Sequence, residues 1–431
     1  MLAFMQTLIL LTTLSAAVIS ASSVSVFRYD PPTRSGPLSM YKTRAKYGVP
    51  ISPELSAAVR RAGFNIHNLN KRQQQKQQGN VSAFPYRGDS EWLNQVKLGT
   101  PPQVVNLQLD TGSAELWVFA DKHPTANKAG RRVYSPSKSS TAARMPGLSW
   151  EKSYAGGNSA SGTEVYNDTV RLGDIVAQSQ AILPATAASE SYVKSPYDGI
   201  LGLELANFTA TLPVKAQGPT NFFETIKSSL PSPLFGVDLK QDNESFFDFG
   251  VVPTNRYRGE VGWTPVNPSR VKGMDYSRWN MTASGYAIGD SKTVPLKARN
   301  MTGVVDTGTT LLYLDKPIVE EYYGKVPGSR YDPLLAGWVF PCGIAQPLPD
   351  FSFGVGPVGS AVTITIPGTY LNWTEDAQAK IDCFGGIQES IDLEGSKVSI
   401  FGTVAIKSAY VIFEDARPAA NPRVGWAAKD L

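Results

Sequence analysis

Val304-Val305-Asp306-Thr307-Gly308-Thr309-Thr310-Leu311-Leu312-Tyr313-Leu314 sets one acidic residue and a short run of small ones between two apolar stretches. The same core stands 196 positions upstream, as Leu107-Gln108-Leu109-Asp110-Thr111-Gly112-Ser113. A single Asp-Thr-Gly is an ordinary turn signal. Here each copy ends an apolar, strand-like run, and each is followed at a similar distance by an apolar pair and a glycine. Ile200-Leu201-Gly202 ends 92 residues after Asp110, and Ile400-Phe401-Gly402 ends 96 residues after Asp306. The repetition of motif and interval implies two similar lobes.

Working outward, short apolar or alternating runs recur between turn signals, among them Val104–Leu109, Val261–Trp263 and Val362–Ile366. Their period of two and β-branched content predict strands. Only Asn221–Leu230 and Lys316–Tyr323 read as helices. With 18% charged residues, 38 glycines and 31 prolines in 431 residues, the chain is mainly β and long enough for two lobes.

An acidic residue closing an apolar strand is costly unless hydrogen bonds hold it. The Thr-Gly-Ser/Thr that follows each aspartate provides hydroxyls and a closely approaching backbone. Two such loops, one from each lobe, would bring Asp110 and Asp306 within hydrogen-bonding reach. Like charges that close share a proton and titrate in two separated steps. One carboxylate can then take a proton from water while its protonated partner polarises a carbonyl, which is general acid–base hydrolysis. His-based triads and multi-His metal sites are disfavoured, because the only histidines are His67 and His123. His123, beside Pro124 in a polar stretch, reads as a solvated surface residue. No metal or organic cofactor is implied.

Charge divides the chain unevenly. Residues 1–21 carry no charged side chain and hold an apolar stretch around Leu8–Leu14, the pattern of a secretory signal peptide. Residues 22–72 hold nine Lys/Arg against Asp30 and Glu54, a net of +7, while residues 73–431 carry a net of −3. A basic arm on an acidic body predicts electrostatic docking of the one on the other. Dibasic pairs at Arg60-Arg61 and Lys71-Arg72, the second followed by a Gln-rich stretch, mark a processing site at or after Arg72. The lobes then divide as residues 73–242 and 243–431. Cys342 and Cys383 are the only cysteines and read as one disulfide closing 40 intervening residues. Sequons stand at Asn80, Asn167, Asn207, Asn243, Asn280, Asn300 and Asn372.

These residues resemble the pepsin-like aspartic proteases, the secreted fungal enzymes in particular. The likeness begins at Trp92, runs through GTPPQ at Gly99, DTGSAELWVF at Asp110, YDGILGL at Tyr197, VVDTGTTLLYL at Val304 and SIFGTVAIKSAYVIFE at Ser399, and ends at RVGWA. It implies a bilobal acid-protease fold with a cleft between the lobes. Asp110 and Asp306 would be the catalytic pair, with Thr111, Gly112, Ser113, Thr307, Gly308 and Thr309 supporting them. The proton-sharing behaviour comes over with the resemblance, aspartic-protease dyads being its usual example. Trp150–Gly162 resembles the mobile flap that closes over substrate, Tyr154 matching the flap tyrosine and Trp117 the tryptophan that steadies it. Cys342 and Cys383 stand where the family has its C-lobe disulfide.

Departures from that pattern are visible. Tyr154-Ala155-Gly156-Gly157-Asn158 replaces the usual YGDGS, so an acidic substrate contact gives way to Gly156, with Gly157 beside it. Thr403 stands where an aspartate is usual. Gln108, on the same strand face as Asp110, is a candidate subsite residue or an interlobe structural contact, and Ile200 a candidate apolar wall. Lys46, in Lys46-Tyr47-Gly48, resembles a prosegment lysine that would insert between the aspartates. The expectation is a secreted, monomeric endopeptidase made as an inactive precursor, with an acidic vacuole as the second location. Its partners are peptide and protein substrates and its own propeptide, with neither nucleic acid nor a membrane anchor. A catalytically silent peptide-binding relative and an acid glycosidase are the rival readings. The first draws only on the altered flap, and the second leaves the lobe duplication unexplained.

Overall fold

The computed structural model describes residues 23–29, 35–47, 52–61, 83–86, 89–126, 130–154, 158–207, 210–213, 218–241, 245–269, 275–344, 346–375, 381–393 and 396–431. The fold is mainly β and has two lobes, each built around the same three-strand arrangement. In the N-terminal lobe, Gln103–Asp110 runs parallel to Gly199–Gly202, which pairs antiparallel with Leu116–Phe119. In the C-terminal lobe, Lys297–Val305 runs parallel to Ser396–Phe401, which pairs antiparallel with Leu312–Leu314. Each Asp-Thr-Gly therefore leaves a central strand and returns beside its own later glycine strand.

The lobes share a long sheet in which Leu234–Asp238, Ser245–Phe249, Ala409–Glu414 and Arg423–Ala428 join strands of the N-terminal side. Strand β1 (Ser23–Tyr29) belongs to the basic arm, yet it lies within this sheet, antiparallel to Ser245–Phe249 and parallel to Ala83–Tyr86. Two arm helices follow, α1 (Gly36–Tyr47) and α2 (Pro53–Arg61). Neither was expected: the Lys and Arg residues of α1 leave it no apolar stripe, and the stripe of α2, with Leu55, Ala58 and Val59 buried, is only nine residues long. What holds α1 is tertiary contact. Met40 is buried, and its Sδ lies 3.0 Å from where a Cβ would stand on Gly337, beside the Phe384 ring. At Gly36 a Cβ would stand 1.9 Å from Phe384, so only glycine lets the helix start this close to the lobe. The Arg61 guanidinium donates to the Leu334 carbonyl.

The expected strands appear as Gln103–Asp110, Arg258–Pro265 and Val362–Ile366. Lys316–Tyr323 is helical as read, and the other expected helix forms as Phe222–Ile226 continued by a 3-10 turn to Ser229. Asn221 caps it, its side chain accepting from the Glu224 N–H at 2.8 Å, a contribution of about 1 kcal/mol. Cys342 and Cys383 are joined, with their Cα atoms 4.9 Å apart. The bond stitches neighbouring strands Gly337–Pro341 and Asp382–Gly385. A loop of this length corresponds to roughly 4 kcal/mol in the chain-entropy account. Among the described residues no helix is long and apolar enough to cross a membrane.

His123 is a correction. It is 3% exposed rather than solvated. Its Nδ1 accepts the backbone N–H groups of Thr125 and Ala126, at 3.2 and 3.1 Å, and its ring meets Phe119 edge-on. The polar stretch around it is a tight turn that needs an acceptor inside it, and the imidazole supplies one. Burial lowers the His123 pKa below 6.5. As pH falls below that value, the unfolded chain takes up a proton that the folded chain resists. His123 therefore costs stability progressively in acid, down to its folded pKa. His123→Asn keeps an acceptor but cannot charge. Urea unfolding at pH 7 and pH 5 should show a smaller acid loss for the variant than for the parent, and equal losses would contradict this role.

Candidate active site

The site is built where the two equivalent loops meet. Thr111 and Thr307 lock them together across the lobe boundary. The Thr111 N–H donates to Thr307 Oγ1 at 3.0 Å, and the Thr307 N–H donates to Thr111 Oγ1 at 3.0 Å. Each hydroxyl then donates to the opposite strand, Thr111 Oγ1 to the Val305 carbonyl at 2.9 Å and Thr307 Oγ1 to the Leu109 carbonyl at 2.8 Å. Both threonines are buried, so these four bonds satisfy groups that water does not reach.

The adjacent aspartates have matching surroundings. Ser113 Oγ donates to Asp110 Oδ2 at 2.5 Å and the Gly112 N–H to Asp110 Oδ1 at 3.0 Å. Thr309 Oγ1 donates to Asp306 Oδ2 at 2.5 Å and the Gly308 N–H to Asp306 Oδ1 at 2.8 Å. Asp110 is 1% exposed and Asp306 is fully buried. Short bonds of this kind fix the planes of the two carboxylates.

The later glycines explain their own spacing. A Cβ on Gly202 would lie 2.3 Å from the Ala114 carbonyl carbon, and one on Gly402 would lie 2.3 Å from the Leu311 carbonyl oxygen. Each strand end packs directly on the backbone of the loop that carries an aspartate. Thr403, next in sequence, is buried, and its N–H donates to the Thr309 carbonyl at 2.8 Å.

The remaining expected residues fall out unevenly. Gln108 and Ile200 face one another across the parallel strand pair, both buried, and Ile200 belongs to the core cluster. Trp117 is fully buried and meets Phe119 and Tyr192 edge-on. A hairpin forms from Ser149–Tyr154 and Asn158–Gly162, with Tyr154 opposite Asn158 at its tip. Gly156 and Gly157 lie outside the described residues, as does the Tyr154 side chain. Lys46 is in the last turn of α1, its side chain also outside the description. Asn207, Asn300 and Asn372 are exposed, Asn167 and Asn280 are half-buried, and Asn80 and Asn243 are outside the described residues.

Sequence reasoning passed over a group of charges beside Asp110. Lys152 Nζ lies 2.7 Å from Glu115 Oε2, and Arg278 Nε lies 3.3 Å from Glu204 Oε1. The signal was present as charged residues inside otherwise apolar motifs, Glu115 in DTGSAELWVF and Glu204 directly after the first later-glycine strand. Among the described residues there is no cluster of three or more His, Cys, Asp or Glu side chains able to hold a metal ion.

Two β lobes joined through paired Asp-Thr-Gly loops define a bilobal acid-protease fold. A model of the family described as eukaryotic aspartyl protease matches residues 91–429. The chain is 36% identical over 397 residues to endothiapepsin of Cryphonectria parasitica, covering 92% of this chain and 87% of that protein. It is likewise 36% identical over 405 residues to aspergillopepsin-1 of Aspergillus oryzae, covering 93% and 89%. The solved aspartic proteinase from Irpex lacteus superposes with a TM-score of 0.62 over 79% of this chain and 94% of that one, at 22% identity, a likeness of fold. The chain belongs to the eukaryotic aspartyl protease family, and its activity is that of an aspartic-type endopeptidase.

Gly402→Ala tests how tightly the second loop is gripped. The added methyl meets backbone on two sides, Leu311 O at 2.3 Å and Thr309 O at 2.7 Å, which a side-chain rotation cannot relieve. Stability should fall by about 1–3 kcal/mol, with proteolytic kcat at least tenfold lower. A variant with parental melting temperature and kcat would show that the loop is not held from this side.

Proposed function

We propose that Asp110 and Asp306 are the catalytic pair of this endopeptidase, acting on extended peptides in acid. The observation that carries the assignment is the Thr111–Thr307 lock, which joins the two loops immediately after their aspartates. In the proton-shared state one carboxylate removes a proton from a water molecule, and the protonated partner polarises the peptide carbonyl. The resulting hydroxyl adds to the carbonyl carbon. The C–N bond then breaks as the leaving amine is protonated, with no covalent intermediate. Thr111, Gly112, Ser113, Thr307, Gly308 and Thr309 hold the carboxylates, and the hairpin carrying Tyr154 covers the substrate.

The chain is made as a proenzyme. Residues 1–21 direct secretion, residues 22–72 form a masking segment, and residues 73–242 and 243–431 make the two lobes of a monomer. Support for masking comes from the placement of α1, which packs against both the C-terminal lobe and the hairpin strand Ser149–Tyr154. Thr43 and Arg44 of α1 lie beside Tyr313, in the strand that follows the second aspartate loop. Similarity to the curated relatives covers 92% of the chain, more than residues 91–429 contain, and so extends into the arm. Acid weakens the grip of a +7 arm by protonating the carboxylates that attract it. Among the described residues, exposure of Asn207, Asn300 and Asn372 supports glycan at these three of the seven sequons.

The test is hydrolysis of denatured casein by the purified precursor from pH 2.5 to 7, with Asp110→Asn and Asp306→Asn alongside. We expect a lag in acid, shortening of the chain through about Arg72, and pepstatin-sensitive cleavage lowered at least a thousandfold in both variants. Cleavage that survives in either variant would remove the dyad assignment. A full rate with no lag and an intact arm would remove the masking one.

A further inference from the structure

The four charges beside Asp110 come from three parts of the molecule. Glu115 follows the first aspartate loop. Lys152 lies on the hairpin strand, two residues before Tyr154. Glu204 is fixed to the first loop by its own N–H, which donates to the Ser113 carbonyl at 3.0 Å, while the neighbouring Leu203 N–H donates to the Asp110 carbonyl at 2.8 Å. Arg278 belongs to the C-terminal lobe. It adjoins Trp279, whose Nε1 donates to the Leu203 carbonyl at 2.8 Å and whose own carbonyl accepts the Val305 N–H. Hairpin, first loop and opposite lobe thus converge on one side of the aspartate.

The pairs are not presented evenly. Side-chain exposure is 21% for Lys152 and 0% for Glu115, and 31% for Arg278 against 11% for Glu204. In each pair the acid is the more deeply buried partner and the cation keeps the larger exposed share.

Resting on the reading of Asp110 and Asp306 as the catalytic pair, we propose that Arg278 and Lys152, backed by Glu204 and Glu115, form a charge-reading wall of the substrate cleft. It favours a substrate side chain bearing a carboxylate at one position near the scissile bond and disfavours lysine or arginine there.

The balance of the wall changes with pH in a defined direction. Burial pushes the Glu204 carboxyl up to about 8, Arg278 and Lys152 opposing and Glu115 and Asp110 adding to the rise. Lys152 is raised: burial alone would lower it, but Glu115, Glu204 and Asp110 outweigh that. At acidic pH Glu204 is therefore uncharged, and the two cations, Lys152 and Arg278, outnumber the one remaining acid of the wall. A substrate glutamate has an ordinary pKa of about 4.3, so its attraction to the wall grows as pH rises from 3 to about 5.5.

Activated enzyme would be given a neutral reference peptide and three sets in which Glu, Gln or Lys is scanned through every position within four residues of the cut. At one position kcat/KM should favour Glu over Lys by about fivefold or more at pH 5.5, the scale of one part-exposed charge contact. That ratio should shrink at pH 3 and at 1 M salt. Arg278→Gln should bring it near one, Arg278→Lys should recover part of it, and Glu204→Gln, which fixes the uncharged form, should keep it. Cleavage of the neutral reference with no position discriminating charge, or a ratio unmoved in Arg278→Gln, overturns the proposal while leaving the catalytic pair standing. A neutral reference left uncut by parent enzyme whose arm has been removed overturns both.

Discussion

Two threonine hydroxyls, Thr111 and Thr307, hold the molecule to one geometry. Each accepts the other's backbone N–H and donates across the lobe boundary, so neither loop can shift without opening bonds on both sides. A net 0.5–1.5 kcal/mol per bond is modest, but opening one leaves a buried N–H or C=O without water, and that costs more than the bond contributed. The lock therefore fixes position more than it adds stability. The aspartates lie one residue before the threonines and inherit that precision.

The rest of the fold supports this junction from behind. Gly202 and Gly402 let a strand end press on each loop, and the parallel pairings Leu109↔Leu201 and Val304↔Ile400 set the height at which each aspartate emerges. Farther out, Lys407 and Asp89, both fully buried, join at 2.8 Å between the end of the helix after Gly402 and the turn before strand Glu91–Leu98. A pair that deep is costly to break, because either partner alone would be an uncompensated charge. It ties the two lobes together close behind the second aspartate loop, where Thr310 Oγ1 also donates to the Ser90 carbonyl at 3.0 Å.

Much of this was legible in the sequence because it repeats. The duplicated Asp-Thr-Gly with its later glycine exposed the lobes, and the period-two runs exposed strands such as Val362–Ile366. What escaped was whatever depends on contacts between distant segments. Helix α1 is held by Gly337 and Phe384, roughly 300 and 340 positions further along the chain, and its own residues show no clear apolar stripe. His123 sits among turn residues, and only the fold reveals that the turn needs its Nδ1. Ile200, a candidate apolar wall by its motif, sits on a central strand and packs in the core cluster. Glu115, Lys152, Glu204 and Arg278 come from four separate segments, and no spacing rule links them.

The claim on which the account turns is that hydroxyl bonding between the loops, rather than packing at these positions, sets the catalytic geometry. The most direct measurement is steady-state kinetics and urea unfolding of Thr307→Ser beside Thr307→Val, a pair that separates the hydroxyl from the volume. Serine should keep kcat within a few-fold of the parent. Valine should lower kcat by about a hundredfold, the scale expected when reacting groups shift by about an ångström, with KM much less affected. A valine variant with parental kcat, or a serine variant as impaired as valine, would contradict the account.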